Sequence, residues 1–395
     1  MIEHYINVSL TGSSSDEYIR PDWLDLPTTV DGDEKLLMLY AVFEDSHNFA
    51  AFQVDATASV DYQVDWGDGN VETFTSHAVA EHEYDWADVG DYYAPGQYRQ
   101  AIITVTPTSG QITVFSANHR HSSATNDYNS GFLDVKFTTQ GLTSIASAFR
   151  SQYEQQHKLL QAFEWVGTCN VTNANYGFYG SNIVYFKGDF TLCTNLSYMF
   201  YATTIRWMEM TLPNSGVNAT GMFWSTPNMV IFKNDFVNLN GVTNVQSMFR
   251  ASKIQSFGTA DDPIILTSPS MNFMFYQAFN LNSVFISGGS GNCSSSFRDA
   301  KALTIVSGLD FGASTNNAST FRTCYSLTHC DVDNATRALD FSDCNFSREG
   351  FLNILNGIGT ASGAQTLDLS NNPGSGDLTA DDILIGTNKG WTVLN

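Results

Sequence analysis

The sequence predicts a mainly β protein in two parts: a small N-terminal β-sandwich, then a repeat solenoid with one short strand and one short helix per ~25-residue unit. Three observations carry this expectation. Residues 35–107 hold short runs of β-branched and aromatic residues separated by turn chemistry. From residue 140 onward a phenylalanine-centred signature recurs. The charge also changes: residues 1–140 contain 22 acidic and 5 basic side chains, whereas 141–395 contain 18 and 13.

The 395-residue chain has 40 acidic and 18 basic residues, a formal charge of −22. Phosphate recognition needs clustered Lys and Arg, so nucleic acid is excluded as an expected partner, and an anionic membrane surface is disfavoured. The longest apolar run, Leu36 to Phe43, is eight residues. A membrane span needs roughly 20. The first residues, Met1-Ile-Glu-His-Tyr5, contain neither a basic segment nor an apolar stretch, so no signal peptide is expected. Six cysteines without CxxC spacing or a nearby His pair read as small buried thiols. Low Lys plus Arg with 28 Phe, 17 Tyr and 7 Trp is a composition of secreted or virion-surface β proteins.

Taken in order, residues 1–34 read as an N-terminal arm and 35–110 as the sandwich, with strands at Lys35–Phe43, Tyr62–Val64, Asn70–Phe74 and Arg99–Thr106. Val64-Asp-Trp-Gly-Asp-Gly69 is a strand entering an Asp-Gly turn. Residues 111–141 are expected to be connecting strands. The solenoid spans 142–339, anchored by Phe149, Phe178, Phe200, Phe223, Phe249, Phe275, Phe297 and Phe321. Their spacings of 29, 22, 23, 26, 26, 22 and 24 average close to 25. A second apolar pair follows most anchors: Ile183/Phe186, Ile205/Met208, Met229/Phe232, Ile254/Phe257, Leu281/Val284, Leu303/Val306 and Leu327/Cys330. A short helical turn carrying Met-Phe, a tight turn and a short strand would give this spacing. One unit alone cannot bury both groups, but stacked units can. Residues 340–395 form a C-terminal cap: a helix near 348–355 with Phe351, Leu352 and Leu355 on one side, a strand at 366–373, a helix N-capped by Thr379, and a closing strand at 390–393.

The repeated [Ser/Asn]-x-Met-Phe-[Tyr/Arg] unit resembles the surface-protein type of leucine-rich repeat found in bacterial surface lipoproteins and marine bacteriophage structural proteins. Trp66-Gly-Asp-Gly69, His82-Glu-Tyr84 and Gly96-Gln-Tyr98 through Thr106 resemble the polycystic-kidney-disease-type β-sandwich. Arg20-Pro-Asp-Trp-Leu-Asp-Leu-Pro27 and Tyr40 through Phe49 are similar to the lead-in of that module in marine phage proteins, which places the phage expectation above the bacterial one.

The residue after each anchor forms the leading candidate site: Arg150, Tyr179, Tyr201, Trp224, Arg250, Tyr276, Arg298 and Arg322. Such a ladder of planar groups could grip sugar rings or anionic glycans. The preferred alternative is that these groups stack on one another and cover the seams between repeats. Asp65 and Asp68, with Asp61 nearby, could hold calcium, but without an Asp-x-Asp-x-Asp-Gly loop they read as turn residues bonding their own backbone. His119 and His121, on one face of an expected strand, lack a spaced third metal ligand. Asn-x-Ser/Thr occurs at Asn7, Asn170, Asn195, Asn218, Asn292, Asn317, Asn334 and Asn345 and reads as repeat-turn chemistry. No nucleophile elbow, zinc-protease motif, phosphate loop or dinucleotide fingerprint appears. Glu164, Asp189, Glu209 and Asp235 lie in successive repeats without marking a catalytic pair. No cofactor, metal or catalytic residue is therefore expected. The function expected is a non-enzymatic virion-surface protein (tail fibre, tail appendage or capsid decoration) that contacts other virion proteins and a host-surface glycan or protein. The oligomeric state stays open. A bacterial adhesin and a polysaccharide depolymerase are the alternatives.

Overall fold

The computed structural model describes residues 18–44, 48–90, 93–94, 98–124, 129–151, 156–234, 237–267, 269–289 and 291–395. These form two compact units, Met1–Leu192 with Thr203–Met210 and Cys193–Ala202 with Thr211–Asn395. The chain is mainly β, and about 11 turns of a β-solenoid are divided between the units.

In the first unit, β1 (Lys35–Phe43) is the centre of a large sheet. The strands that follow are β2 (Asn48–Ala56), β3 (Tyr62–Asp65), β4 (Val71–Phe74), β5 (Val79–Tyr84), β6 (Tyr93–Ala94), β7 (Tyr98–Pro107), β8 (Ile112–Ser116), β9 (Phe132–Thr138), β10 (Ala162–Trp165), β11 (Tyr185–Asp189) and β12 (Trp207–Thr211). The large sheet runs β12-β11-β10-β9-β1-β7-β3-β4, with β6 on β7, and a second sheet runs β5-β2-β8. Antiparallel pairing joins β1 to β7 and β9, whereas β9, β10 and β11 pair in parallel. The expected connecting strands are thus integral: β9 is where a sandwich sheet becomes a solenoid sheet.

The two sheets face each other through aromatic contacts. Ring centroids lie 5.1 Å apart for Tyr40–Tyr84, 5.5 Å for Phe52–Trp66 and 4.9 Å for Phe115–Phe137. Residues 36–43 are buried on both faces, which explains the uninterrupted apolar run. The opposite face is covered by the segment expected to be an arm. Trp23 and Leu26 pack with Leu37, Leu39, Ala41, Phe43 and Tyr98. The Trp23 indole donates to the Tyr98 hydroxyl at 2.8 Å, and Arg20 pairs with Asp134 at 2.8 Å. The Asp31 carboxylate accepts from the Thr168 amide (2.8 Å) and hydroxyl (2.9 Å), and the amide bond leads the effects that hold its carboxyl below the usual range. Residues 18–34 are therefore a strap on the sheet, with residues 1–17 outside the described ones.

The repeat register is borne out in both units: all eight anchors and the paired apolar residues are buried. In the first unit Phe149 stacks on Phe178 at 5.4 Å and 12°. In the second, Phe200, Phe223, Phe249, Phe275, Phe297, Phe321 and Phe341 form a continuous stack with successive centroids 5.7, 5.3, 5.5, 5.4, 5.3 and 4.8 Å apart. Each second apolar pair flanks or enters a short strand, and these strands pair in parallel from Ile231–Phe232 through Ser256–Phe257, Ser283–Gly289 and Ile305–Asp310 to His329–Cys330.

The expected short helix is absent from the repeats among the described residues. In its place the backbone is left-handed two residues before and two residues after the anchor. Around Phe249 the residues are Ser247 (φ 54°) and Ala251 (φ 52°), around Phe275 Phe273 (58°) and Gln277 (61°), and around Phe297 Ser295 (55°) and Asp299 (63°). Alternate amides then diverge. Those of Val245, Ser247, Phe249 and Ala251 donate to carbonyls of Ser270, Asn272, Met274 and Tyr276 on the next turn, at 2.8–3.0 Å. Those of Met248, Arg250 and Ser252 close i→i+3 bonds within their own turn at 3.1 Å. A helix would direct every amide along its own chain and leave neighbouring turns unjoined. An asparagine opens most of these turns: the Oδ1 atoms of Asn195, Asn218, Asn244, Asn292 and Asn316 accept from the amide two residues on at 3.0–3.2 Å. Three of these, Asn195, Asn218 and Asn292, belong to Asn-x-Ser/Thr triplets, in agreement with the turn reading.

The cap follows the sequence closely. Helix α1 (Arg348–Gly357) starts at Ser347, and α2 (Ala380–Thr387) at Thr379, where Asp382 completes a capping box. Ile354, rather than the expected Leu352, joins Phe351 and Leu355 in the core. Arg348 grips Asp382 through two 2.9 Å bonds that bring its carboxyl down to about 2. Strands Leu339–Asp340, Gln365–Asp368 and Trp391–Leu394 form a parallel sheet. The Lys389 ammonium donates to the Leu355, Asn356 and Ile358 carbonyls at 3.0, 2.8 and 2.7 Å, closing the C-terminus of α1. All six cysteines are buried, and burial pushes the Cys344 thiol up to about 12.

Replacing Phe249, fully buried between Phe223 and Phe275, by Ala is expected to cost about 3–5 kcal/mol in denaturant unfolding. Phe279→Ala, at a ring 51% exposed, is expected to change stability by no more than about 0.5 kcal/mol. Equal effects of the two substitutions would contradict the repeat register.

Candidate binding ladder

The side chain after each anchor leaves the turn on the side opposite the phenylalanine. Arg150, Tyr179, Tyr201, Trp224, Arg250, Tyr276 and Arg298 are half-buried, and Arg322 is exposed. In the first unit the Arg150 guanidinium lies 5.1 and 5.3 Å from the ring centroids of Tyr176 and Tyr179. In the second unit Tyr201 meets Trp224 edge-on at 5.2 Å. Arg250 lies between two rings, 4.4 Å from Trp224 and 5.0 Å from Tyr276, and Arg298 lies 5.6 Å from the same Tyr276. From Trp224 to Arg298 rings and cations therefore alternate, as mutual cation–π attraction favours.

The position two residues before the anchor adds rings that the sequence analysis left out. Tyr176, Tyr198 and Phe273 pack beside Tyr179, Tyr201 and Tyr276 at 5.7, 6.2 and 5.7 Å. Gly221 occupies this position in the next turn, and a Cβ there would collide with the Tyr198 ring. Its left-handed φ of 59° and missing side chain let Tyr198 lie over the turn and approach Trp224 to 6.3 Å. An aromatic residue at both i and i+3 of one turn was the available signal.

Stacking therefore occupies the ring and guanidinium faces along Tyr201, Trp224, Arg250, Tyr276 and Arg298. It does not occupy the guanidinium edges. Among the described residues no carboxylate lies within ion-pair distance of Arg250 or Arg322, and the nearest to Arg298 is Asp299 at 3.9 Å. Uncompensated cations are notable in a chain of charge −22. A guanidinium whose face is packed and whose N–H edge is open is arranged to take an oxygen anion in a bidentate way.

The other candidates are engaged locally. Asp65 accepts from the Gly67 amide at 3.0 Å, and Asp68 from the Asn70 amide at 3.0 Å and from His82 at 2.7 Å. Burial opposes ionisation of Asp68, but the Asn70 and His82 bonds outweigh it and hold the carboxyl below its usual range. The His119–His121 segment lies beyond β8 rather than on a strand. His121 stacks on Phe49 at 4.5 Å and its Nδ1 accepts from the Ser123 amide at 3.1 Å. The His119 imidazole is held below its usual pKa by burial. No group of three or more His, Cys, Asp or Glu suited to a metal occurs among the described residues. Glu164 faces Lys136 at 3.8 Å, Glu209 pairs with Lys187 at 3.0 Å, and Asp189 accepts from the Thr191 amide at 3.2 Å; Asp235 lies outside the described residues. No helix among the described residues is long and apolar enough to cross a membrane.

Comparison of the chain with protein-family models, curated proteins and solved structures found no match.

The stacked geometry has a measurable signature. A double-mutant cycle of Arg250→Ala with Tyr276→Ala is expected to give a coupling of about 0.5–2 kcal/mol in unfolding free energy. A coupling of zero would mean that the two side chains stand apart.

Proposed function

We propose that this chain is a non-enzymatic structural protein of the bacteriophage virion exterior, a tail fibre, tail appendage or capsid decoration, whose solenoid takes part in host-surface recognition. The observation that carries the recognition role is the ladder Tyr201, Trp224, Arg250, Tyr276, Arg298 and Arg322, in which half-buried Arg250 and exposed Arg322 have no carboxylate within ion-pair distance among the described residues. Packed faces fix Trp224, Arg250, Tyr276 and Arg298 before a ligand arrives, so binding there loses little side-chain entropy. The virion setting is supported by the likeness of the lead-in and the Trp66-Gly-Asp-Gly69 hairpin to the polycystic-kidney-disease-type module of marine phage proteins. The Met-Phe unit, taken as an aromatic form of the surface-protein leucine-rich repeat, points the same way. The high negative charge would keep many copies soluble and mutually repelled on one particle.

Gold-labelled antibody to the solenoid, applied to intact phage particles, tests this reading. Label at the tail is the expected result for a receptor-binding role, and uniform label over the head for a decoration role. Label confined to bacterial cells, with none on particles, would overturn the virion assignment in favour of a cell-surface adhesin.

A further inference from the structure

The ladder is half of a larger feature. Between Asn234 and Thr336 the chain has five basic residues: Arg250, Lys253, Arg298, Lys301 and Arg322. All five occupy two repeat positions, the first and the fourth after the anchor. The acidic residues of the same stretch stand elsewhere, except for Asp299 beside Arg298. Five of the nine Lys and Arg residues of the second unit thus fall at these two repeat positions.

Aromatic residues fill the remaining places in the same two positions. Four successive turns carry Arg250 with Lys253, Tyr276 with Phe279, Arg298 with Lys301, and Arg322 with Tyr325. Lys253, Phe279, Lys301, Arg322 and Tyr325 are exposed, Phe279 by 51% and Tyr325 by 53%. The all-aromatic turn lies between two cationic ones. Arg250 and Arg298 approach the Tyr276 ring to 5.0 and 5.6 Å, and the Lys301 ammonium approaches Phe279 to 5.6 Å. Successive turns rise by about 4.8 Å, so Arg250 and Arg298 stand roughly 10 Å apart with aromatic surface between them. Lys253 and Lys301 also have no carboxylate within ion-pair distance among the described residues, and Phe279 and Tyr325 keep about half of their surface exposed.

We infer that this edge, from Arg250 and Lys253 to Arg322 and Tyr325, is a binding site for a uronic-acid polysaccharide laid along the solenoid axis. Sugar rings would rest on Phe279 and Tyr325, and their carboxylates would take the open guanidinium and ammonium N–H groups. A peptide acid offers carboxylates without rigid ring faces. A nucleic acid would have to approach a chain of charge −22 with only five cations to neutralise phosphates. The inference deepens the recognition role proposed above and rests on it for its biological setting alone.

Titration calorimetry of the full chain with polygalacturonate, its methyl-esterified form, polyglutamate and single-stranded DNA tests it. Polygalacturonate is expected to bind, less tightly as salt is raised, and at least tenfold more tightly than each of the other three. R298Q/K301Q should weaken that binding at least tenfold. Because Arg298 also stacks on Tyr276, the exposed single changes K301Q and F279A serve as a second set, each expected to weaken binding several-fold with the thermal midpoint held. Absence of polygalacturonate binding, equal binding of any of the other three polymers, or unchanged affinity in the variants would overturn the site. Binding in solution without label on particles would keep the site and remove the virion setting, and label without binding would do the reverse.

Discussion

Each coil from Phe178 to Phe321 depends on a backbone constraint: two left-handed residues, placed symmetrically about a buried phenylalanine. They turn alternate amides out of the turn and onto the carbonyls of the next, so the bonds that join the coil to its neighbour come from the same few residues that close it. The phenylalanine between them is aimed inward and meets its equivalent one turn away, which is why the rings stack within 19° of parallel throughout the second unit. Non-glycine residues in this conformation cost roughly 1–2 kcal/mol each. Shared hydrogen bonds and a ring buried at every step offset that cost, and neither is available to a turn standing alone.

The outer surface is a consequence of the same geometry. If the anchor points in and its neighbours are left-handed, the next residue must leave the turn outward at the same place every time. Planar side chains at that place fall into register and stack, Arg250 between Trp224 and Tyr276 being the clearest instance. Stacking takes up ring and guanidinium faces and leaves edges. The exposed row three residues further on supplies the ring faces that the ladder itself lacks. On the proposed reading, structure and recognition would be divided between two positions of one repeat.

The phenylalanine period was legible because burial imposes it turn after turn, and the paired apolar residues because they enter parallel strands. The N-cap at Thr379 and the run Lys35–Phe43 were legible from local chemistry and hydrophobicity. The left-handed turns were not. Apart from Gly180 and Gly221 they hold residues such as Ser, Tyr, Phe, Ala and Gln where glycine would have announced them, since stacking supplies what conformational preference withholds. Strand β2 was missed because it is covered on both faces and carries little alternation, and β9, expected only as a connecting strand, proves integral to the large sheet. Residues 18–34 read as an arm because the sheet face that Trp23 and Leu26 cover is assembled from strands distant in sequence. Of the site, the ladder was visible as a repeat position. The edge beside it emerges only when charge is counted by position within the turn.

The left-handed turn is most directly tested at Ala251, an exposed residue with φ 52° whose amide donates to Tyr276 on the next turn at 2.9 Å. Relief of the left-handed penalty exceeds the entropy glycine adds to the unfolded chain, so Ala251→Gly should be neutral or stabilising, by up to about 1 kcal/mol in denaturant unfolding. Were the turn helical, as the sequence alone suggested, the same substitution would destabilise the protein by about 1 kcal/mol. A loss of that size would contradict the coil geometry on which the spine and the outer ladder depend.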